Sequence, residues 1–402
     1  MSVNTLDFEQ VSTVLTSIVQ QATGQTVLTP TDTSSFVSVA QTALLANRDS
    51  VMNAISNILA RTIFSIRPYS AKMTGLDMDT FRWGAMMRKL SIADTDWEDD
   101  NAYEWPVFYD STQNPPDGEG ESVDRWKIKK PNILQTNFYG QSVYSDHMSI
   151  TEDQLETAFT GPEQLGSFLS LLMTNLSNRL EMSNEALRRG LVCNAIGALY
   201  EEDDSSRVIH LLTEYNTLTG QSYTQTDIYD PANFPGFCKW AYSRIAEITD
   251  LFTANSTKFQ TVITGKPILR HTPYEYQRVY LYSPFQRQVE ARVLADTYHD
   301  NYLRYADVET IPYWQSIDTR DTVKVTPAYI GSNGALVSST AQTVENVFGL
   351  IFDRDAMGMS ILDRRVLSTP VNESGLYRNI WVHGKQRVVF DNTEKLALLL
   401  LD

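Results

Sequence analysis

The residues of this chain that could do chemistry are five histidines, two cysteines and several clustered carboxylates, and their spacing decides which reactions are open to them. His147, His210, His271, His299 and His383 never fall at the spacing of a helical or strand metal pair, so no metal centre is expected. Cys193 and Cys238 are too few for a disulfide framework or a cysteine zinc site, and they suit a reducing compartment. Asp353 and Asp355, two apart in strand-like sequence, would face one side and could share acid–base work. Arg354 between them and a solvated rim explain them more simply. The run Glu201-Glu202-Asp203-Asp204 could attract a hard cation, yet it lacks the alternating ligands and the glycine of a calcium loop and reads as solvated charge. No Gly-x-Ser-x-Gly elbow, Gly-x-x-x-x-Gly-Lys loop or Gly-x-Gly-x-x-Gly fingerprint occurs. No catalytic, cofactor-binding or metal-ligating residue is assigned, and no cofactor is expected.

Composition points away from several other classes. A net charge of -16 argues against a protein that holds nucleic acid on a basic face through counterion release, although confined contact with DNA stays open. Hydrophobic residues make up 42% of the chain, which excludes disorder, and 20 Tyr, 16 Phe and 7 Trp beside only 20% charged residues favour large packed interfaces. No run of 18 apolar residues occurs, and Met1-Ser2-Val3-Asn4 lacks the basic start of a secretory signal, so a soluble cytoplasmic product without membrane contact is expected. Leu396 to Leu401 is too short to cross a bilayer and reads as a buried strand.

The element that must position everything else runs from Gly161 to about Leu199. Leu165, Leu169, Leu172, Leu176, Leu180, Leu187, Leu191, Ala195 and Leu199 recur at helical spacing, with Asn175, Asn178, Arg179, Asn184, Arg188 and Arg189 between them. Pro162 suits a first helical turn, and the acidic run Glu201 to Asp204 sits badly at the negative end of a helix dipole, so the helix is expected to stop before it. Such a rod would be close to 60 Å long and exceeds an ordinary domain. Its stripe, with Leu172, Leu176, Leu180, Leu187 and Leu191 as the core, is better buried against a sheet and against other copies of the chain.

Before the rod, residues 5–21 and 34–66 carry helical spacing but little core of their own, and form an arm. Tyr103 to Tyr109 and Arg125 to Lys129 read as strands of a projecting hairpin, turned by Asn114-Pro115-Pro116-Asp117-Gly118-Glu119-Gly120. Its outgoing side is acidic (Asp99, Asp100, Glu104) and its returning side basic (Arg125, Lys127, Lys129, Lys130), which suits docking on a neighbouring copy. A strand from Ile133 to Tyr144 precedes Ser149-Ile150-Thr151-Glu152, which has capping-box spacing for a short helix to Phe159. After the rod, helices at 235–252 and 284–298 alternate with strands at 259–264, 278–282, 308–311 and 322–325. The chain then closes with strands at 347–352, 377–383, 387–390 and 396–401. The class is α+β, with mixed sheets and helices packed on them.

This order of parts resembles the Hong Kong 97-type fold of tailed-phage major capsid proteins. Phe138-Tyr139-Gly140-Gln141 through Asp153 to Phe159 is similar to the hairpin-to-rod junction of short-tailed phage coat proteins. Val279 to Phe285 with Val293-Leu294-Ala295-Asp296 is similar to a strand–helix unit of that family. Phe348 to Ala356, followed by Gly375 to Asn379 and the last strands, is similar to its C-terminal portion. The resemblance implies an N-terminal arm (1–90), an extended hairpin loop (91–145), a spine helix in a peripheral domain (146–202), an axial domain with parts of the peripheral one (203–349) and C-terminal strands shared by both (350–402). It also implies self-assembly into pentamers and hexamers, a virion location after synthesis in the bacterial host, double-stranded DNA enclosed without sequence reading, and scaffolding, portal and decoration partners. Some members join a hairpin lysine to a neighbour's asparagine, and Lys127, Lys129 and Lys130 lie in the matching region. A second class stays open on composition: abundant Tyr and Trp with excess carboxylates would suit a carbohydrate-active enzyme with an aromatic, acidic cleft.

Overall fold

The computed structural model describes residues 8–23, 29–46, 51, 72–78, 86–93, 132–139, 142–151, 153–154, 161–202, 206–264, 268–292 and 307–402. Helix α1 (Phe8–Thr23) buries Val11, Leu15, Ile18 and Val19, while Thr13, Thr16 and Ser17 return their hydroxyls to the carbonyl four residues earlier. Helix α2 (Thr33–Ala46) starts at Asp32, whose carboxylate accepts the Ser35 N–H, and adds Phe36 and Ala40 to the same cluster. The second arm helix read as far as Ile66 is described only to Ala46, apart from the helical Val51.

Strands β1 (Met86–Ala93) and β2 (Asn132–Tyr139) form a two-stranded antiparallel ribbon, and β3 (Ser142–Thr151) follows. The single strand expected at 133–144 is therefore two strands with different partners. The capping box also moves. Ser149 stays in β3 and bonds Asn379, so Thr151 and Gln154 exchange the reciprocal side-chain to N–H bonds at 3.4 and 3.3 Å.

Helix α3 (Pro162–Glu202) has 41 residues, about 60 Å of rise. After it come β4 (Val208–His210), α4 (Leu211–Thr219), a single turn α5 (Gln225–Ile228) and α6 (Phe234–Thr253). Then follow β5 (Gln277–Tyr282), α7 (Ser283–Arg292), β6 (Asp307–Ile311), β7 (Val323–Val325), β8 (Ala328–Ile330), β9 (Leu336–Ser338) and β10 (Gln342–Val344). The chain closes with β11 (Val347–Asp353), β12 (Met357–Ser368), β13 (Tyr377–Phe390) and β14 (Leu396–Leu400).

Two sheets carry the body. One has the order β4-β14-β11-β5-β6, antiparallel at its centre and parallel at both outer pairs. The other is antiparallel, in the order β12-β13-β3. Alternation in β14 explains how the first sheet is covered on both faces. Leu396, Leu398 and Leu400 join Leu191, Val192, Ile196 and Leu199 of α3, whereas Ala397, Leu399 and Leu401 join Phe237, Ala241, Ile245 and Ile248 of α6. Each such leucine contributes roughly 1.5–3 kcal/mol on burial.

The rod is bedded on both sheets. Phe168 and Leu172 pack with the arm helices, Ile150 and Ile380, and Leu176 and Leu180 pack on Val382, all above the three-stranded sheet. From Leu191 onward the same helix covers the five-stranded sheet. Among the expected core positions Leu176, Leu180 and Leu191 are buried, while Leu172 and Leu187 are half-buried. The helix also runs two residues into the acidic run. Glu202 accepts from Arg207, Thr261 and Asn392, and Glu201 from Ser339, and these bonds offset the unfavourable dipole.

Three further expectations are corrected. Residues 259–264 form no named strand, because Phe259 adopts a left-handed conformation (φ 65) and Thr261 bonds out of line to the Asn392 carbonyl. The strands read at 377–383 and 387–390 are one, β13, in which Gly384 leaves the space that Tyr144 fills: a Cβ there would lie 2.1 Å from its ring. Strand β12 escaped notice because a register shift between Ile361 and Asp363 breaks its alternation.

Leu180→Asp is expected to prevent soluble folding, because the charge enters a closed contact with Val382. Leu187→Asp should stay soluble with native circular dichroism. Both cysteines are buried, and burial pushes the Cys193 thiol up to about 12 despite nearby Arg189. Neither should react with a thiol reagent at pH 8 until denaturant is added.

Candidate functional site

Strand β1 is inside out. Lys89 and Ser91 point to the body, while Leu90 and Ile92 point away with 61% and 65% of their surface exposed. Ile92 lies directly opposite Ile133 on β2, itself 54% exposed. An isolated chain gains nothing from that register, since a slip of one residue would bury the apolar set. Ala93 and Asn132 pair at the end of the ribbon next to the stretch read as the hairpin.

What holds the register is ionic. Lys89 Nζ lies 2.8 Å from Asp391 Oδ2 and 2.5 Å from Glu394 Oε1. Arg270 places Nη1 2.5 Å from the same Glu394 oxygen and donates from Nη2 to Ser91 Oγ at 3.0 Å and Thr393 Oγ1 at 3.4 Å. Burial alone would lower the Lys89 ammonium and raise the Asp391 carboxyl. Their mutual attraction and hydrogen bonds outweigh it, leaving Lys89 above and Asp391 below their ordinary values. At Glu394 burial wins over Lys89 and Arg270, and its carboxyl is raised.

The acids belong to the turn between β13 and β14, Asp391-Asn392-Thr393-Glu394-Lys395, whose five polar residues are all buried. Asp391 Oδ1 accepts the Thr393 N–H and hydroxyl. Asn392 Nδ2 donates to Thr261 Oγ1 and the Ile330 carbonyl, both at 2.8 Å, and its Oδ1 accepts the Ile330 N–H. Lys395 Nζ donates to the carbonyls of Phe252 (3.1 Å) and Ala254 (2.6 Å), closing the C-terminal end of α6. Desolvation lowers its ammonium to about 8, against the pull of Asp353. One turn thus ties ribbon, rod and helical layer together.

A second polar cluster lies on the rod, where Asn184, Glu185, Arg188 and Arg189 are buried rather than solvated. Arg188 grips Asp77 with two bonds of 2.8 and 2.7 Å, and Glu185 receives Arg189 at 2.9 and 2.7 Å and the Lys72 N–H at 3.3 Å. Arg189 also covers the Tyr313 ring at 3.8 Å. These bonds seat residues 72–78 between rod and sheet, where Asp77 bridges Met359.

The seven hairpin residues proposed for contact, Asp99, Asp100, Glu104, Arg125, Lys127, Lys129 and Lys130, lie outside the described residues. Of the histidines, His147 and His383 stack on either side of Trp381, at centroid distances of 4.4 and 5.9 Å. His210 meets Asp402 at 2.6 Å. Asp353 is buried and bonded by Thr272, whereas Asp355 lies in the exposed turn beyond β11, so the two do not share a strand face. Among the described residues lining a hollow of about 580 Å³ at the end of the rod, Glu202 is the one acid, and Arg207 already engages it. Sequence reasoning missed Lys89, Arg270 and the buried turn, because Lys and Arg between apolar residues look like the solvent side of a strand. The one signal was the apolar trio Leu90, Ile92 and Ile133 beside them.

A rod shared by two sheets, an arm folded over it and a ribbon with its apolar side outward make a subunit with a surface suited to contact between copies. The profile of the Phi29-like phage major capsid protein family matches residues 15–399, and the chain belongs to that family. Among solved structures it is similar to a chain from the capsid of Staphylococcus phage Andhra, at 10% identity over 84% of this chain and 87% of that one, with a TM-score of 0.52. It is also similar to a chain from the structure of the head fibre and inner core protein of native bacteriophage P68, at 11% identity over 83% and 85%, with a TM-score of 0.49. No curated protein matches it. The α+β, Hong Kong 97-type reading and the shell-forming function stand, and the carbohydrate-active alternative finds no support.

Lys89→Met should cost about 3 kcal/mol by leaving Asp391 buried without its cation. Because Lys89 is raised on folding, its contribution is complete below pH 10.5 and is lost as pH climbs through the higher folded value. The difference in melting temperature between wild type and variant should be flat from pH 6 to 9 and shrink above pH 10.5.

Proposed function

We propose that this major capsid protein closes into pentamers and hexamers, with the hairpin of each copy laid over the next, and that the shell encloses double-stranded DNA without reading its sequence. The observation that carries this reading is the outward apolar face of the root ribbon, Leu90, Ile92 and Ile133, which is exposed to water and suits burial against another copy. In this reading the hairpin residues Asp99, Asp100, Glu104, Arg125, Lys127, Lys129 and Lys130 meet a neighbour. The arm, the three-stranded sheet and the first half of the rod form the peripheral plate, and the five-stranded sheet with α4 to α7 forms the axial domain. The shell is assembled in the host cytoplasm with scaffolding and portal proteins and catalyses nothing, and no described helix is long and apolar enough to cross a membrane.

Expression of the chain should give closed particles tens of nanometres wide by negative-stain microscopy, and a strictly monomeric protein at high concentration would overturn the reading. Ile92→Asp should leave the subunit folded and abolish particles. Reversing Lys129 and Lys130 to glutamate should weaken assembly most at low salt. Normal particles from that double variant would make the hairpin charges incidental.

A further inference from the structure

Among the described residues the ribbon β1–β2 pairs with neither of the larger sheets, so no described backbone ladder fixes the angle at which it leaves the body. Lys89 and Ser91 on its inner side meet an acid–base cluster that is itself immobilised. Asp391 is held by Thr393, Glu394 by Arg270, and the turn they share is anchored through Asn392 to Thr261 and Ile330. Apolar side chains in those positions would stabilise the fold about as well, since the cost of stripping water from a buried ion pair cancels much of its attraction. What charges in fixed forks add is direction.

We propose that Lys89, Arg270, Asp391 and Glu394 are positioning residues for assembly: they set the tilt of the hairpin, and through it the angle between neighbouring copies. The inference rests on the shell reading above. Leverage gives it weight. An eight-residue strand is about 26 Å long, so a 10° change at the root moves its far end by roughly 4–5 Å. That shift is the width of a side chain, enough to take the outward Ile92 and Ile133 off their contact on the next copy. Arg270 is central, because one guanidinium touches the ribbon at Ser91 and the turn at Thr393 and Glu394.

The test measures direction, which a purely structural role would not move. Spin labels at Gln135→Cys on the exposed side of β2 and Leu218→Cys on α4 report the ribbon's angle in the soluble full-length subunit. The native Cys193 and Cys238 are buried and stay unlabelled. The parent should give one narrow distance distribution. Arg270→Lys, which keeps the charge and loses the fork, and Lys89→Met/Asp391→Asn, which removes one balanced pair, should each shift or broaden it by about 2 Å, since Gln135 lies halfway along the ribbon opposite Leu90. Particles from both variants should vary in diameter where the parent gives one size. If the double variant fails to fold, the conservative Arg270→Lys decides. Unchanged distances with uniform particles in Arg270→Lys would overturn the proposal. A parent chain that forms no particles would instead overturn the shell reading, and the distance measurement would still judge the hinge.

Discussion

A turn of five polar residues is taken out of water at the point where ribbon, rod and helical layer meet, so every donor and acceptor there has to find a partner inside the protein. Asp391 and Glu394 face the ribbon, Asn392 faces the segment after α6 and the β8 strand, and Lys395 faces the carbonyl end of α6. None of these groups can leave alone, because each departure strands a charge or an amide in a low-dielectric interior. The rest of the molecule is arranged around that requirement. Even the extension of α3 into Glu201 and Glu202 depends on it, since Asn392 and Arg207 occupy the Glu202 carboxylate.

The rod solves a different problem. A helix of 41 residues cannot be covered by one small core, and here it is covered by two in succession, first the arm with the three-stranded sheet and then the five-stranded sheet. This makes the two sheets one mechanical piece. Where the helix passes from one core to the next, its side chains become polar and buried, and Glu185, Arg188 and Arg189 receive residues 72–78 by charge-assisted bonds. Residues 72–78, before the ribbon in sequence, are thus seated on the rod, and β3, after it, lies at a sheet edge. Rigidity on both sides suits a subunit that must present one surface to many identical neighbours.

Much of this was legible in the residues. The 3.6-residue recurrence of leucines marked the rod, Pro235 and Pro284 marked the openings of α6 and α7, and the runs Val347–Phe352 and Leu396–Leu401 marked strands covered on both faces, because local periodicity reports which side of an element is buried. The order of those parts pointed to a phage shell subunit. Hidden from the sequence were the facts that depend on who faces whom. Asp391 to Lys395 has the composition of an exposed turn, and only the convergence of distant segments buries it. Lys89 and Ser91 have the composition of a solvent face, and only the position of Arg270 and Glu394 turns them inward. Arg188 and Arg189 look like the wet side of a helix until Asp77 and Glu185 arrive. The sequence by itself determined elements and their order, since these follow from spacing along the chain; the tertiary structure alone decided which polar groups pair out of water and which apolar face is left over, since pairing needs partners as far apart as Lys89 and Asp391, 302 residues along the chain.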